Sequence, residues 1–222
     1  SEKKEKSLIL NPKLKSDIAI KGESISFKYF GSNENIFEKI NFEILRNKHT
    51  LITGVNGSGK STLLGLISGI LNADEGKVSI FSNKFAYVGA TPLIIKGSLK
   101  DNLLYGNKNK VQDNELISYI KKFKLFNEVQ SDELNIEVTN KSLSSGQMQK
   151  ISFIRALLSN PELLILDEST SNIDINSKKE INTQLNKLDI TIINSTHNVQ
   201  ELNYDAHIEI DIVDNKRVLR TV

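Results

Sequence analysis

Apolar side chains recur along this chain with two spacings, one typical of strands and the other of helices. From Ile18 onward a repeat of two predicts half-buried strands, and the run over 49–54 predicts a buried strand that ends at a glycine. The spacing then becomes that of a helix over 60–70, whose apolar face is formed by Leu63, Leu64, Ile67 and Ile70. The first third of the chain therefore predicts strands followed by a helix.

Strands and helices continue to alternate over the rest of the chain. Two short strands are predicted to close the chain, after strands over 77–81, 84–88, 163–166 and 190–194. A helix is predicted over 146–159, and others follow expected caps at Ser98, Asp113 and Ser177. This order predicts an α/β fold with a mostly parallel sheet, an N-terminal antiparallel β region and an inserted helical subdomain at roughly 93–158.

Composition is that of a folded domain and excludes several classes of function. The 222 residues are 38% hydrophobic and 25% charged, and a net charge of +2 gives no basic field for nucleic acid. The chain has no cysteine, which excludes disulfides and thiolate metal sites. No apolar run approaches the ~20 residues that a membrane-spanning helix needs. Residues 1–16, rich in lysine and without periodicity, are expected to be a linker or tail before a domain over 17–222.

A glycine-rich segment lies between the predicted buried strand and the helix after it. Residues 54–61 (GVNGSGKS) match the phosphate-loop pattern G-x-x-x-x-G-K-[ST]. Glycines let the backbone curl so that successive N–H groups face phosphate oxygens, and the helix offers its positive end to the same anion. Lys60 is expected to reach the β- and γ-phosphates, and the Ser61 hydroxyl to bind Mg²⁺. The alternative is a plain glycine-rich turn.

Further motifs follow the phosphate loop in a fixed order. Residues 143–147 (LSSGQ) precede a helix, Asp167 and Glu168 end an apolar strand, and His197 follows the next strand. In this order and at this spacing, the motifs resemble those of the ATP-binding cassette (ABC) family, and the chain looks most like its exporters. The resemblance covers nearly all of the chain from Ile18 onward. It implies a P-loop NTPase core that binds ATP and Mg²⁺ and hydrolyses the ATP.

The resemblance assigns roles to the acidic pair and to one histidine. Asp167 is expected to hold Mg²⁺ directly or through water, Glu168 to activate the attacking water, and His197 to contact the γ-phosphate and orient that water. Taken alone, an acidic pair after a strand is often a helix cap, and a single histidine is usually structural. Their place in the motif series favours the catalytic roles. His49 and His207 lack such support and are expected to be structural.

The resemblance also assigns the nucleotide contacts. Tyr29 aligns with the aromatic residue on which the family stacks adenine, although a strand aromatic packed in a core is the alternative. The other contacts within the chain are expected from Gly54, Asn56, Gly57, Ser58, Gly59, Lys60, Ser61 and Thr62. Two domains of this family pack head to tail, so a partner's nucleotide would be completed by Ser144, Gly146 and Gln147. Residues 171–174 resemble the loop that crosses this seam.

The chain departs from the family pattern at three places. Ala90 stands where the family carries a glutamine that meets Mg²⁺ or its water and links the site to membrane partners. Residues 137–142 lack the glycine-bearing loop that precedes the signature in many exporters, and Ser145 replaces a signature glycine. Because Glu168 and His197 are both present, we expect hydrolysis to persist.

The leading functional interpretation is the nucleotide-binding domain of an exporter at the cytoplasmic face of a membrane, the inner membrane if the protein is bacterial. Its expected partners are a second nucleotide-binding domain, identical or different, and a transmembrane domain fused upstream of Ser1; nucleic acid is not expected. Two alternatives remain open. One is a soluble ABC-type ATPase, and the other is a regulatory cassette that binds ATP with little turnover, which Ala90 favours slightly.

Overall fold

The computed structural model describes residues 7–13, 17–126, 134–171, 173–197 and 203–222. In chain order the elements are β1 (Leu8–Leu10), β2 (Ile18–Phe27), β3 (Phe37–Leu45), β4 (His49–Thr53), α1 (Lys60–Ile67), β5 (Glu75–Ile80), β6 (Phe85–Gly89), β7 (Gly97–Ser98), α2 (Leu99–Leu104), α3 (Asp113–Lys122), β8 (Glu137–Val138), α4 (Ser145–Leu158), β9 (Leu163–Asp167), α5 (Ile175–Leu185), β10 (Thr191–Ser195), β11 (Ala206–Val213) and β12 (Lys216–Thr221). The α/β prediction is confirmed.

The elements form two compact units. The first contains the described residues of Ser1–Phe85, Glu162–Asp167 and Asp189–Val222. The second contains those of Ala86–Pro161 and Glu168–Leu188. The helical subdomain that the sequence predicts at 93–158 falls within the second unit, which extends further along the chain in both directions.

The N-terminal sheet of the first unit has the strand order β1-β5-β2-β3, with β2 antiparallel to both of its neighbours. Its edge strand β1 pairs in parallel with β5 and lies in the segment expected to be a linker or tail. Two local contacts explain why this short segment is ordered. The Ser7 hydroxyl accepts a 2.8 Å hydrogen bond from the Ala73 N–H. The Leu8 side chain lies so close to Gly69 that a Cβ there would approach its Cδ2 to 2.7 Å.

The second sheet of this unit carries the strands β12, β11, β4, β10 and β9 in that order. All neighbours are parallel except the terminal hairpin of β11 and β12. Ser195 of β10 lies opposite Ile52 of β4 on one side and opposite Asp167 of β9 on the other. The carboxyl ends of these three strands therefore meet at one edge, where open α/β sheets bind their ligands.

Helix α1 is buried on almost every side, as expected of a core helix. Leu63, Leu64 and Ile67 belong to the hydrophobic core of the first unit, together with side chains from both sheets. Ile70 does not: the helix ends at Ile67, and Ile70 is 67% exposed. The cause is Gly69, whose φ of 72° is a left-handed conformation that stops a helix at little cost. The predicted end at residue 70 was wrong for this reason.

The second unit is mainly helical. The predicted capping box at Ser98 is confirmed: its hydroxyl accepts from the Asp101 N–H at the start of α2. Asp113 is not a cap but the first residue of α3, after Gln112. The cap of α5 is Asp174 rather than Ser177, because the Asp174 carboxylate accepts from the N–H groups of Asn176 at 3.0 Å and Ser177 at 2.9 Å. None of the helices in the described ranges is long and apolar enough to cross a membrane.

Candidate functional site

The phosphate-loop segment adopts a curled backbone between β4 and α1. Gly54, Gly57 and Gly59 have φ values of 148°, 78° and 106°, which L-residues with a Cβ rarely adopt. Space is limiting as well at Gly59, where a Cβ would lie 2.9 Å from Cζ of Phe37. Both the dihedral angle and the close approach therefore require glycine at the position before Lys60.

Ser58 lies inside this curl and is fully buried. Its N–H donates to the Val55 carbonyl at 3.1 Å. Its Oγ has no hydrogen-bond partner in the part of the chain that the structure describes. A buried hydroxyl without a partner is unfavourable by itself, and a phosphate oxygen would supply the missing acceptor if the loop opened enough to admit it to the Oγ. This unsatisfied hydroxyl fits an anion site better than a plain turn.

The Lys60 side chain folds back across the loop and is 5% exposed. Its Nζ donates to the Gly54 carbonyl at 2.9 Å and to the Val55 carbonyl at 3.3 Å. These contacts hold the ammonium group over the curled backbone, where a phosphate would add a charged acceptor. Contact of Lys60 with the β- and γ-phosphates stays a prediction.

The two predicted metal ligands lie together. The Ser61 Oγ, in the first turn of α1, donates to Asp167 Oδ1 at the end of β9 at 3.1 Å. A hydroxyl and a carboxylate are ligands that suit Mg²⁺, which keeps several waters and substrate oxygens in its coordination shell. In the described residues no group of three or more His, Asp and Glu side chains forms a complete metal site. The hydroxyl of Ser61 and the carboxylate of Asp167 fit Mg²⁺ by their chemistry as oxygen ligands.

The remaining catalytic candidates stand just after the strand ends. His197 follows β10 by two residues and is exposed. Glu168 is the residue after Asp167 in the chain, and it belongs to the second unit. Its φ of 48° is left-handed, which is uncommon for a residue with a side chain. Its carbonyl accepts from the Ser171 N–H at 3.1 Å and from the Ser171 hydroxyl at 2.8 Å.

Tyr29 lies two residues beyond the end of β2 and is 46% exposed. Its hydroxyl is 2.8 Å from Oγ1 of Thr62, which is in the first turn of α1. The rings of Tyr29 and Phe27 pack in a T-shaped pair, with centroids 5.1 Å apart. The ring is therefore not a core aromatic, and it lies beside the phosphate-loop helix. Adenine stacking stays a prediction.

The signature residues are engaged in contacts within the second unit. Ser144 caps α4: its Oγ accepts from the Gln147 N–H at 3.2 Å, and its own N–H donates to Gln147 Oε1 at 2.9 Å. The Gln147 amide also donates to the Leu125 carbonyl at 3.3 Å. A Cβ on Gly146 would approach Ser177 Oγ to 2.6 Å and Asp174 Oδ2 to 2.9 Å. Ser144, Gly146 and Gln147 thus each have a structural role in their own chain.

The segment near Ala90 contains a contact that the sequence analysis did not identify. Gln149, almost fully buried in α4, donates from Nε2 to the Gly89 carbonyl at 3.1 Å. Thr91, the alternative oxygen ligand, is exposed. A second missed contact is the ion pair of the buried Lys150 with the partly exposed Glu180, which joins α4 to α5. No local pattern signals either contact, because both partners are distant in sequence.

The other two histidines lie in the second sheet of the first unit. Burial lowers the pKa of His49, although Asp205 opposes that shift. The Nε2 of His207 is 2.7 Å from Oγ1 of Thr53, the last residue before the phosphate loop. Of the segment 171–174, Asn172 lies outside the described residues, and the described Asp174 is the cap of α5.

Comparison with known proteins gives consistent matches. A family model described as ABC transporter matches residues 37–171. The lactococcin-A transport/processing ATP-binding protein LcnC of Lactococcus lactis subsp. lactis is 31% identical in an alignment 215 residues long that covers 89% of this chain and 29% of that protein. The zinc uptake system ATP-binding protein ZurA of Listeria innocua is 32% identical over 228 residues, covering 90% of this chain and 84% of ZurA.

A third relative is the energy-coupling factor transporter ATP-binding protein EcfA1 of Mycoplasma capricolum, which is 30% identical over 243 residues. That match covers 93% of this chain and 58% of EcfA1. The chain thus spans less than two thirds of the length of LcnC and of EcfA1 but most of the length of ZurA.

Proposed function

Because the chain belongs to the ABC transporter family of ATPases, we propose that it is the nucleotide-binding domain of an exporter. In this proposal it binds MgATP and hydrolyses it within a head-to-tail pair of such domains. The observation that carries the proposal is the hydrogen bond between Ser61 and Asp167, which joins the phosphate loop to the end of β9. A hydroxyl and a carboxylate at these two places are the ligands that Mg²⁺ bound with a nucleotide uses.

Nucleotide binding is assigned to the first unit. The N–H groups of residues 54–62 and the Lys60 ammonium group hold the phosphates, and Ser58 donates its buried hydroxyl to one of their oxygens. Tyr29 packs its exposed face on the purine while its hydroxyl contact with Thr62 fixes the ring. Affinity arises mainly from the charged phosphate contacts, and the ring sets the position of the base.

The chemistry is assigned to the residues after two strand ends. Bound Mg²⁺ supplies charge neutralisation for the β- and γ-phosphates. Ser61 and Asp167 hold that ion, Glu168 accepts a proton from the attacking water, and His197 contacts the γ-phosphate and orients the water. The in-line attack then breaks the bond between the γ-phosphorus and the bridging oxygen, which leaves with the ADP.

The chemistry is tested with Glu168→Gln, which keeps the shape of the side chain but removes the base. Turnover should collapse in this variant while MgATP affinity persists, because the phosphate loop is untouched. Phosphate release and calorimetric titration measure the two properties separately. Hydrolysis at the wild-type rate would show that Glu168 is not the base.

Pairing is proposed because two separate segments, the phosphate loop and the start of α4, are both expected to contact nucleotide. In a head-to-tail pair, the start of α4 with Ser144, Gly146 and Gln147 would face the nucleotide held by the other copy. ATP then stabilises the pair by mass action, and its hydrolysis removes that stabilisation. Sedimentation of Glu168→Gln with and without MgATP tests this step. A dimer of equal stability in both samples would contradict ATP-dependent pairing.

The transport context is also proposed. Residues 17–222 would form one cassette at the cytoplasmic face of a membrane, joined to or associated with a transmembrane domain. Relatives whose names refer to lactococcin transport and to zinc uptake are both similar to the chain, so similarity alone does not favour export. The exporter proposal rests on the N-terminal β region with Tyr29 after its first long strand. Apolar spans encoded upstream in the same reading frame would support a fused membrane domain, and their absence would favour a separate one.

A regulatory cassette is the second candidate, and Ala90 is the observation that favours it. A methyl group cannot bind Mg²⁺ or its water, and the neighbouring Gly89 carbonyl accepts from Gln149. The steady-state rate of ATP hydrolysis distinguishes the candidates. Binding of MgATP without measurable phosphate release, from a chain that retains Glu168 and His197, would favour the regulatory function.

A further inference from the structure

The turn that follows β9 holds Glu168 in an unfavourable backbone conformation. Its φ of 48° is left-handed, whereas most residues with a side chain keep a negative φ. Such conformations persist only where surrounding contacts hold them. Eight non-glycine residues in the described part of the chain have a positive φ, and Glu168 is the one among them that the proposed function makes catalytic. The contacts that hold this residue are therefore of functional interest.

One residue supplies two hydrogen bonds to the backbone of Glu168. Ser171 donates its N–H to the Glu168 carbonyl at 3.1 Å and its Oγ–H to the same carbonyl at 2.8 Å. The two residues between them, Ser169 and Thr170, are buried at 2% and 6% exposure, so the turn is anchored in the protein. Ser171 itself is exposed. Its hydroxyl bonds inward although solvent is available to it.

We infer that Ser171 is a positioning residue for Glu168, acting through the Glu168 carbonyl. This inference rests on the proposed function, in which Glu168 is the general base. The two donors of Ser171 hold the peptide group that follows the Glu168 Cα. The preceding residue, Asp167, is paired with Ser195 of β10, so the backbone of Glu168 is held on both sides and its φ cannot change freely. A change from 48° to the usual helical φ would turn the Cα substituents by roughly 110° about the N–Cα bond. The carboxylate would then leave the backbone in a different direction.

The side-chain hydrogen bond is the part of this arrangement that a substitution can remove. In Ser171→Ala the backbone N–H still reaches the carbonyl, so the turn is expected to form but to hold Glu168 less firmly. Loss of one such bond corresponds to a decrease of about 5-fold to 10-fold in the equilibrium constant that favours the correct conformer. We expect kcat to fall, by at most this factor, with unchanged KM and unchanged MgATP affinity, because the phosphate contacts lie in other residues.

The chain offers a closely matched control. Ser159, at the end of α4, donates its Oγ–H to the Ala156 carbonyl at 2.7 Å and its N–H to the same carbonyl at 3.3 Å. It therefore makes the same pair of bonds to the residue three positions earlier, but at a place without a catalytic candidate. Ser159→Ala should leave kcat unchanged. If both variants lost the same fraction of activity, the loss would be a general effect of removing a side-chain hydrogen bond from a turn and not a specific role of Ser171.

An isosteric pair separates the hydroxyl from the shape of the side chain. Ser171→Thr keeps the hydroxyl, whereas Ser171→Val has the same shape as the Thr variant with a methyl group where the hydroxyl was. The Thr variant should therefore retain activity, and the Val variant should lose it. This comparison also decides the matter if the alanine variant does not fold. Equal activity of the Thr and Val variants would overturn the inference.

A double-mutant cycle tests whether Ser171 acts through Glu168 or on another group. In the Glu168→Gln background there is no base to position, so Ser171→Ala should not lower the residual rate further. A further decrease of 5-fold or more would show that Ser171 acts elsewhere, for example across a pair of domains, and would overturn the inference. The two hypotheses fail separately: Glu168→Gln with wild-type turnover contradicts the general base, whereas a fully active Ser171→Ala contradicts only the positioning role.

Discussion

The buried hydroxyl of Ser58 leads to a prediction in which one substitution has opposite effects on stability and on binding. Ser58 is 0% exposed, and its Oγ has no hydrogen-bond partner among the described residues. Ser58→Ala removes this oxygen and leaves the N–H bond to the Val55 carbonyl in place. The variant should therefore be more stable than the wild type without nucleotide and should bind MgATP more weakly.

The magnitudes follow from the surroundings of the oxygen. A buried hydroxyl without a partner costs about 1–3 kcal/mol, and the small cavity left by its removal offsets part of the gain. We expect the nucleotide-free variant to be more stable by about 1 kcal/mol. In the complex, a hydrogen bond to a charged phosphate contributes about 1.5–3 kcal/mol, so the dissociation constant for MgATP should rise about 10-fold to 150-fold.

The two effects are measured by urea unfolding without nucleotide and by calorimetric titration with MgATP. Ser68→Ala is the matched control, since Ser68 is also buried in the first unit but its Oγ donates to the Gly65 carbonyl at 3.2 Å. This control should lose stability and keep its affinity. A less stable Ser58→Ala would mean that the hydroxyl is satisfied in the free protein. An unchanged dissociation constant would mean that it does not contact a phosphate.

Three further predictions concern the second unit. Ala90→Gln should lower the Mg²⁺ concentration for half-maximal ATPase activity or raise the rate, and identical Mg²⁺ titrations would mean that another group fills the place. Gly146→Ala should lower the free energy of unfolding by about 1–3 kcal/mol, since the new Cβ would lie 2.6 Å from Ser177 Oγ; urea unfolding of the exposed Ser145→Ala is the control. The hydrogen bond from the Ser177 N–H lowers the pKa of Asp174 below its usual 3.8. The ionised cap therefore stabilises the protein above about pH 4, and this stabilisation is lost as the pH falls through the lowered pKa. The stability of Asp174→Asn, measured by urea unfolding at several pH values, should lack this part of the acid dependence.

Elements with a strong local signal were predictable from the sequence. The helical spacing of Leu63, Leu64 and Ile67 is local, and so is the capping box of Ser98 with Asp101, and the structure has both. The phosphate loop was predictable for the same reason: its glycines are required by the φ values of the loop itself. The pattern of a motif suffices where the interactions that it encodes are made within a few residues.

Features that depend on distant partners were not predictable. Strand β1 is only three residues long and forms because β5, about seventy positions later, offers it an edge. The bond of Gln149 to the Gly89 carbonyl spans 60 positions, and nothing near either residue indicates it. The cap of α5 was misplaced for a different reason. Both Asp174 and Ser177 are residue types that cap helices, and only the geometry shows which of the two accepts the first N–H groups.

The signature segment shows why a motif match and a functional role need separate tests. Ser144 and Gln147 cap α4 reciprocally, and Gly146 is required by the closeness of Ser177 and Asp174. These contacts stabilise the isolated chain, so a loss of activity after substitution of any of the three residues does not by itself demonstrate contact with a partner's nucleotide. Ser145 is different: it is exposed in the first turn of α4, and its side chain makes no hydrogen bond to any of the residues that the structure describes. A substitution at Ser145 that alters ATP-dependent pairing, while leaving unfolding in urea unchanged, would therefore report on the partner's site alone.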